Sequence, residues 1–336
     1  MKKWMILFLA LCLVLWGCSA PVEAQTRTIF AMDTVMELTV YADNEKLLSE
    51  AVSRIRELES KLSVTMDGSE IHTVNSAGTA PLSGDTADLL TRALALCAST
   101  GGTLDISIYP VVSAWGFTTG EYRIPEKAEL ETLLGRVNYS AIVLEEGVVS
   151  VPEGMQIDLG SVAKGYTGDI ISTLLKENGV TSALLNLGGN VQAVGNKPDG
   201  MPWRVAVQHP TEDGYLGVLS ISDEAAITSG GYERYFTGDD GQTYWHIIDP
   251  ATGAPVDSGL ISVTIVGDSG LICDGLSTAL FVMGLEKAAQ YWRNAAEEFE
   301  AILVTDDGTI YITEGLQGKF TLSENCEDAV LAVITR

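Results

Sequence analysis

The sequence has few basic residues, few histidines and no clustered cysteines. It carries 20 Lys+Arg against 45 Asp+Glu, a formal net charge of −25 at pH 7. Because a nucleic-acid binder needs clustered Lys and Arg to neutralise phosphates, no nucleic acid is expected as a partner. The five cysteines are scattered, so they predict neither a disulfide framework nor a zinc site. The two common nucleotide-binding fingerprints, GxGxxG after the first strand and GxxxxGK[ST], are absent as well.

The N-terminal apolar run is too short to span a bilayer. Met1-Lys2-Lys3 precedes an unbroken apolar run over 4–16, whereas a spanning helix needs roughly twenty residues. Gly17-Cys18 follows, and a small residue before a cysteine at this place resembles a bacterial lipobox. We therefore expect a lipoprotein signal peptide over 1–17, a lipidated Cys18 with a flexible spacer over 18–27, and a folded domain over 28–336. The lipid would anchor an extracytoplasmic domain to the outer side of a membrane. A plain secretory signal is the alternative.

The remaining cysteines and the hydropathy pattern predict the state of the thiols and the secondary structure of the folded domain. Three scattered cysteines outside the cell favour buried, unpaired thiols. Apolar residues at helical spacing predict helices over 44–62, 85–99, 162–178, 274–283 and 286–298. β-rich segments predict a strand or strand pair over 28–41, a hairpin over 140–151, and strands over 182–187, 191–195, 203–208, 217–222, 225–228, 244–248 and 261–266, while 104–117 is loop-like. Since strands do not alternate strictly with helices, a doubly wound sheet is not expected.

Two glycine-containing segments are typical of turns that approach a ligand. Asp158–Tyr166 runs into a helix, whose free N–H groups suit an anion, and Lys164 adds a positive charge. A capped helix with a solvated lysine is the plainer alternative. Asn186–Asn190 places two glycines between short strands, which permits close approach of a ligand or forms only a turn.

Two further segments carry side chains suited to catalysis. His246 lies among aromatic and β-branched residues near Asp249 and can act as a proton acceptor, although a lone strand histidine is more often a core residue. Asp274 and Thr278 are four residues apart on a predicted helix, so both side chains project from one face. A carboxylate and a hydroxyl suit Mg²⁺, which is usually bound through one or two carboxylates together with substrate phosphates. A helix-capping aspartate and a buried threonine are the alternative.

In this order the segments resemble the FAD:protein FMN transferase family, the ApbE-like flavin transferases. The resemblance covers about 28–335 and includes further segments: Ala31–Thr34, Leu62-Ser63, Ser69–Ile71 in the following loop, Leu104–Ile108, Trp115–Phe117 and Ser229–Arg234. It implies one large α+β domain with mixed, mostly antiparallel sheets and packed helices. Three departures are Asp33, where the family usually has glycine, Ser161, where it often has glycine or alanine, and Thr65-Met66 in place of a tyrosine.

The resemblance also implies a reaction and a set of site residues. FAD would be split at its pyrophosphate, the FMN half joined through its phosphate to a Thr or Ser hydroxyl of an acceptor flavoprotein, and AMP released. By position, the side chains of Asp274 and Thr278 and the backbone carbonyl of Ser161 would hold Mg²⁺. His246 would deprotonate the acceptor hydroxyl, with Asp249 as the alternative base. The FAD site would be lined by Met32, Trp115, Gly116, Phe117, Asp158 and Lys164.

Two other functions remain open from the sequence. If water replaces the protein hydroxyl, the protein is a FAD pyrophosphatase that yields FMN and AMP. A non-catalytic flavin-binding lipoprotein fits the N-terminal signal equally well, but simple capture of a flavin needs no metal–base pair.

Overall fold

The computed structural model describes residues 23–336, and its main feature is a nine-stranded sheet. The strand order is β1-β2-β6-β7-β10-β13-β14-β15-β17, and every neighbouring pair is antiparallel except β15 and β17. These strands are β1 Ala24–Ala31, β2 Thr34–Tyr41, β6 Ser182–Leu187, β7 Asn190–Gly195, β10 Ala225–Gly230, β13 Leu260–Gly267, β14 Glu300–Thr305, β15 Ile310–Thr313 and β17 Leu331–Ile334.

Three small sheets complete the β-structure of the described residues. One has the order β3-β5-β4, one has the order β16-β9-β8, and one is the ribbon β11-β12. Their strands are β3 Thr79–Pro81, β4 Val143–Glu145, β5 Val148–Ser150, β8 Trp203–Gln208, β9 Tyr215–Ile221, β11 Tyr235–Thr237, β12 Thr243–Trp245 and β16 Phe320–Leu322.

Several of the described helices pack against the main sheet. They are α1 Glu45–Leu62, α2 Glu70–Ala77, α3 Gly84–Ser99, α4 Tyr109–Ala114, α5 Lys127–Leu134, α6 Gly160–Glu177, α7 Gly270–Met283 and α8 Leu285–Asn294, with short 3₁₀ helices at Tyr139–Ala141, Glu314–Leu316 and Glu324–Cys326. The largest core cluster joins α7 to β10 and β13, and α6 packs along α7. The fold is therefore α+β with mostly antiparallel sheets, as predicted.

Most element predictions are confirmed, with shifted boundaries. Residues 28–41 form the predicted strand pair, and 140–151 contains the hairpin β4–β5 with its turn at Glu146-Gly147. Cys97, Cys273 and Cys326 are buried and unpaired, as expected. Strand β1 begins at Ala24, so residues 24–27 of the predicted spacer belong to the sheet, where Ala24 pairs with Tyr41 and Arg27 with Leu38.

Three segments differ from the sequence prediction. The loop-like stretch 104–117 contains α4. This helix tolerates Pro110 in its first turn, because the N–H groups there have no acceptor within the helix and the missing N–H of proline costs no helical hydrogen bond. The segment with Ser69 is not a loop: Ser69 caps α2 by accepting a hydrogen bond from the His72 N–H at 3.0 Å. Strand β12 ends at Trp245, so His246 follows the strand rather than lying within it.

Helix α7 begins four residues before the predicted start. Its N-cap is Ser269, and Asp274 lies inside the helix, which excludes Asp274 as a capping residue. The conformation of the turn between β1 and β2 also explains why the family usually has glycine at position 33. Asp33 has φ of 57° and Met32 has φ of 50°, a left-handed conformation that glycine adopts freely and that aspartate tolerates better than most residues.

Candidate active site

A cavity of about 730 Å³ opens where the β1–β2 turn, the start of α6, the middle of α7 and the segment after β10 meet. It is lined by residues from most of the segments that the sequence singled out in the folded domain; Ser69–Ile71 is the exception. The predicted site residues among them are Met32, Phe117, Asp158, Ser161, Lys164, His246, Asp274 and Thr278. The fold thus brings together segments more than 240 residues apart in the chain.

The cavity wall is rich in carboxylates. Only Lys164 and Arg234 among the lining residues are cationic, whereas six are acidic: Asp33, Glu59, Asp105, Asp158, Glu233 and Asp274. A diphosphate would enter a strongly negative environment, so its binding requires further positive charge.

Asp274 is a buried carboxylate with few partners. Its side chain is 5% exposed, and its Oδ2 accepts a hydrogen bond from the Gly165 N–H of α6 at 2.9 Å. Burial raises the pKa of Asp274, while Lys164 and the Gly165 N–H act in the opposite direction. One turn further along α7, Thr278 Oγ1 lies 3.4 Å from Ser229 Oγ. Both oxygens therefore retain capacity to bind a cation.

Helices α6 and α7 can approach closely because glycines face each other. A Cβ on Gly165 would lie 2.1 Å from the carbonyl oxygen of Gly270. The Gly165 N–H donates to Asp274 across this contact. A backbone carbonyl oxygen has two lone pairs, so the Ser161 carbonyl at the cavity edge can accept a further partner beside a helical hydrogen bond.

His246 is a neutral imidazole with a defined tautomer. Burial lowers its pKa to about 4, and the nearby Arg234 and Lys164 lower it in the same direction. Its Nδ1 lies 3.2 Å from the Arg234 carbonyl oxygen. Because a carbonyl oxygen only accepts, Nδ1 must carry the proton, and this leaves Nε2 as the acceptor. The geometry thus assigns the basic atom to Nε2.

Two acids near Lys164 have raised pKa values. Burial raises the pKa of Asp158, against the Gly160 N–H that donates to Oδ1 at 2.8 Å and the charges of Arg234 and Lys164. Burial raises the pKa of Glu233 to about 7, with Lys164 opposing it. Glu233 therefore changes charge near neutral pH beside the cavity.

Three predicted residues do not line the cavity. Trp115 is 3% exposed, and its Nε1–H donates to the Gly253 carbonyl at 2.8 Å. Its side chain is therefore buried in the core and does not line the cavity. Gly116 has φ of 83° at a position where a Cβ would lie 2.1 Å from the Glu121 carbonyl oxygen. The Asp249 carboxylate accepts hydrogen bonds from the Ala251 N–H at 2.8 Å and from Thr252 Oγ1 at 3.2 Å within its own turn.

Three lining residues were not assigned a role from the sequence, although their segments were recognised. Arg234 and Glu233 contribute the charges described above. Asn190 is 3% exposed, and its side-chain amide lies beside the Asp274 carboxylate and lowers the pKa of that group. The paired glycines Gly188-Gly189 directly before Asn190 are the signal for it in the sequence.

Two other structural properties bear on the function. Within residues 23–336, no group of three or more His, Cys, Asp and Glu side chains is arranged to hold a metal ion. Any ion at Asp274 would thus rely on a single carboxylate with neutral oxygens and substrate. Among the same residues, no helix has the length and apolarity to span a bilayer.

Comparison with known proteins finds relatives that match most of the chain. The FAD:protein FMN transferase of Vibrio cholerae is 31% identical over 323 residues, covering 92% of this chain and 96% of that protein. The Treponema pallidum enzyme of the same name is 32% identical, covering 89% and 90%.

Solved structures of ApbE proteins are also similar to this chain. The ApbE protein of Thermotoga maritima superposes with a TM-score of 0.83 at 28% identity, covering 88% of this chain and 99% of that chain. The apo flavinyl transferase ApbE of Pseudomonas stutzeri superposes with a TM-score of 0.80 at 25% identity, covering 91% and 100%. The ApbE family pattern matches residues 32–303. The chain belongs to the ApbE family.

Proposed function

We propose that the protein is a FAD:protein FMN transferase, which transfers the FMN moiety of FAD to a Thr or Ser hydroxyl of an acceptor flavoprotein and releases AMP. The observation that carries the proposal is the convergence of a neutral histidine, two cations and the Asp274–Thr278 oxygen pair on one cavity of about 730 Å³. This volume lies within the usual range of small-molecule sites, about 300–1,000 Å³.

Different residues of the cavity have different roles in the proposed reaction. The acceptor oxygen attacks the phosphorus of the FMN half, and the bond from that phosphorus to the bridging oxygen breaks. AMP leaves with the bridging oxygen, and the hydroxyl proton passes to His246 Nε2. Lys164 and Arg234 lie in the same wall and reduce the repulsion between the diphosphate and the acidic lining. Met32 and Phe117 supply apolar contact for the flavin part.

The residues present fit a magnesium ion. Asp274 offers one buried carboxylate, Thr278 a hydroxyl and Ser161 a backbone carbonyl, and this set of hard oxygens is the kind that Mg²⁺ accepts. The small number of protein ligands agrees with an ion that is bound partly by substrate phosphates. When bound, Mg²⁺ polarises the diphosphate and neutralises its charge. The Asn190 amide beside Asp274 favours the charged form of that carboxylate.

The N-terminal signal supports a proposal about where in the cell the protein acts. We include in the proposal that Cys18 is lipidated and anchors the domain to the extracytoplasmic side of a membrane. The motif Gly17-Cys18 after the apolar run supports this part of the proposal, and Cys18 lies outside the described residues. Strand β1 begins at Ala24, so at most a few residues would separate the lipid from the folded domain.

The test is transfer to a purified acceptor, with two histidine variants. We expect His246→Gln to bind FAD as the wild type does but to transfer FMN 10²–10⁴-fold more slowly, about the contribution of a positioned base. The matched control is His72→Gln, because His72 lies on α2 outside the cavity. Equal rates for both variants would remove His246 from the reaction.

The same assay separates the alternative functions. A transferase adds one FMN moiety to the acceptor for each AMP released. A pyrophosphatase forms free FMN and AMP with no acceptor present, and a binding protein leaves FAD intact. Either of the last two results would overturn the proposed function.

A further inference from the structure

Asp169 is an acid on α6 that lies outside the cavity and holds the first turn of α7. Its Oδ1 accepts hydrogen bonds from the Gly270 N–H at 2.6 Å and from Gln192 Nε2 at 3.0 Å. Its Oδ2 accepts from the Leu271 N–H at 3.1 Å and from Ser269 Oγ at 3.0 Å. The first N–H groups of a helix have no partner within the helix, and a negative charge at that end is favourable. Both oxygens of Asp169 are thus committed to one helix end and its support.

The surroundings of Asp169 keep this contact in one position. Gln192 Nε2 also lies 3.3 Å from the Gly165 carbonyl oxygen, and its Oε1 accepts from Ser172 Oγ at 3.1 Å. Arg92 donates to Ser269 Oγ at 3.1 Å and lies 3.8 Å from the Asp169 carboxylate. A Cβ on Gly270 would lie 1.5 Å from Gln192 Nε2, so the packing leaves no room for the helix start to move inward.

The contacts between α6 and α7 form a regular series that leads to the cavity. Asp169 meets Gly270, and Gly165, one turn earlier on α6, meets Asp274, one turn later on α7. The same spacing next pairs Ser161 with Thr278, and both of these residues line the cavity. Each step is one helical turn, about 5.4 Å along the axis. Asp169 therefore fixes one end of a helix pair whose other end presents the proposed ion ligands.

We propose that Asp169 is a positioning residue for FMN transfer, because it sets the register of α7 against α6 and so places Asp274 and Thr278 at the correct distance from Ser161. The inference rests on the proposed function, in which these three residues hold the divalent ion. Asp169 itself does not line the cavity.

The test compares Asp169→Asn with the wild type in the full chain. The amide keeps the size of the side chain, but it removes the charge and turns one of its two acceptors into a donor that faces other donors. Residues that orient metal ligands typically change metal affinity by 10–100-fold when altered, so we expect the Mg²⁺ concentration for half-maximal transfer to rise about tenfold or more. The FAD KM at saturating Mg²⁺ should change by less than about twofold, because the side chains that contact FAD are unchanged.

A second readout does not depend on turnover. Mn²⁺ binding, measured by the loss of the free-ion electron paramagnetic resonance signal with FAD present and no acceptor, should weaken by the same factor in Asp169→Asn. Asp223→Asn is the matched control: Asp223 also accepts a backbone hydrogen bond, from the Gly195 N–H at 2.9 Å, and also contacts α6, through Lys176 at 2.9 Å. We expect unchanged Mn²⁺ binding in the control.

Ser269→Ala keeps the proposal testable if Asp169→Asn does not fold. It removes one donor to Asp169, and we expect a weakening of Mn²⁺ binding in the same direction but several-fold smaller. A folded Asp169→Asn protein with wild-type Mn²⁺ binding and a wild-type Mg²⁺ requirement would overturn the positioning role alone. A wild-type protein that transfers FMN without any divalent ion would instead overturn the metal assignment on which the inference rests.

Discussion

Replacing Asp274 by Asn should stabilise the metal-free protein and abolish FMN transfer. The carboxylate is 5% exposed, accepts a hydrogen bond from the Gly165 N–H, and has a pKa raised by burial. Asn has a similar volume and can still accept from Gly165 through its Oδ1. Removing a buried charge that has no salt-bridge partner typically saves about 1–3 kcal/mol. Since 1 kcal/mol shifts Tm by about 2 °C in a chain of this size, we expect an increase of about 2–6 °C.

The stabilisation by Asp274→Asn should depend on pH. The pKa of Asp274 is raised in the folded protein, so the folded state keeps a proton that the unfolded chain has already lost. The wild type therefore loses stability as the pH rises from the unfolded pKa of the carboxyl group, about 4, through the raised folded pKa. The Tm difference between variant and wild type should be small near pH 4 and larger at pH 8, in melts recorded with EDTA.

Magnesium and FAD should reverse the order of stability. The wild type gains about 2.7 kcal/mol when the ligand is at 100 times its Kd, and Asp274→Asn gains little because the ion has lost its only carboxylate. Asp199→Asn is the control, because the pKa of Asp199 is lowered by the Met201 N–H and by Lys197, so loss of its charge cannot stabilise the fold. A lower Tm for Asp274→Asn than for the wild type in EDTA at pH 8, or retained Mg²⁺-dependent transfer, would refute the reasoning.

Three other changes test separate parts of the site. The pKa of His246, about 4, predicts that kcat/KM for the acceptor protein, measured at saturating FAD, stays constant as the pH falls from 8 to 5 and declines only when the imidazole is protonated near pH 4; an acid limb near pH 6.5 would contradict this. Metal-free FAD binding, measured by fluorescence quenching, should weaken as the pH rises through about 7 because Glu233 becomes charged, and Glu233→Gln should remove that dependence. Gly165→Ala should destabilise the protein by about 1–3 kcal/mol in denaturant melts, because its Cβ would overlap the Gly270 carbonyl oxygen; an unchanged midpoint would show that α6 and α7 separate freely.

Local patterns in the sequence predicted much of the fold and of the site. The spacing of apolar residues over 44–62 gave α1, whose Leu47, Ala51, Ile55 and Leu58 are buried. The i, i+4 spacing placed Asp274 and Thr278 on one face of α7, and both line the cavity. These features depend on residues close together in the chain, where the helical period alone decides which side chains share a face.

Features that depend on long-range contacts could not be predicted. The start of α7 is fixed by Asp169, which is 101 residues away from Gly270. Trp115 turns away from the cavity because its Nε1–H donates to Gly253, 138 residues away. Asp249 differs from these two because its partners are local: its carboxylate is occupied by its own turn, and this competes with a catalytic role. In each case the nearest hydrogen-bonding partner, rather than the residue type, decides the role.

The most direct test of the central claim is a crystal structure of the protein with FAD and Mn²⁺, in which anomalous scattering locates the ion. The account predicts one ion bonded to the Asp274 carboxylate, Thr278 Oγ1 and the Ser161 carbonyl, and in contact with the diphosphate of FAD. The isoalloxazine ring should lie towards Met32 and Phe117, with the bridging phosphates within reach of Lys164. An ion bound elsewhere, or a diphosphate that avoids the α6–α7 pair, would contradict the account.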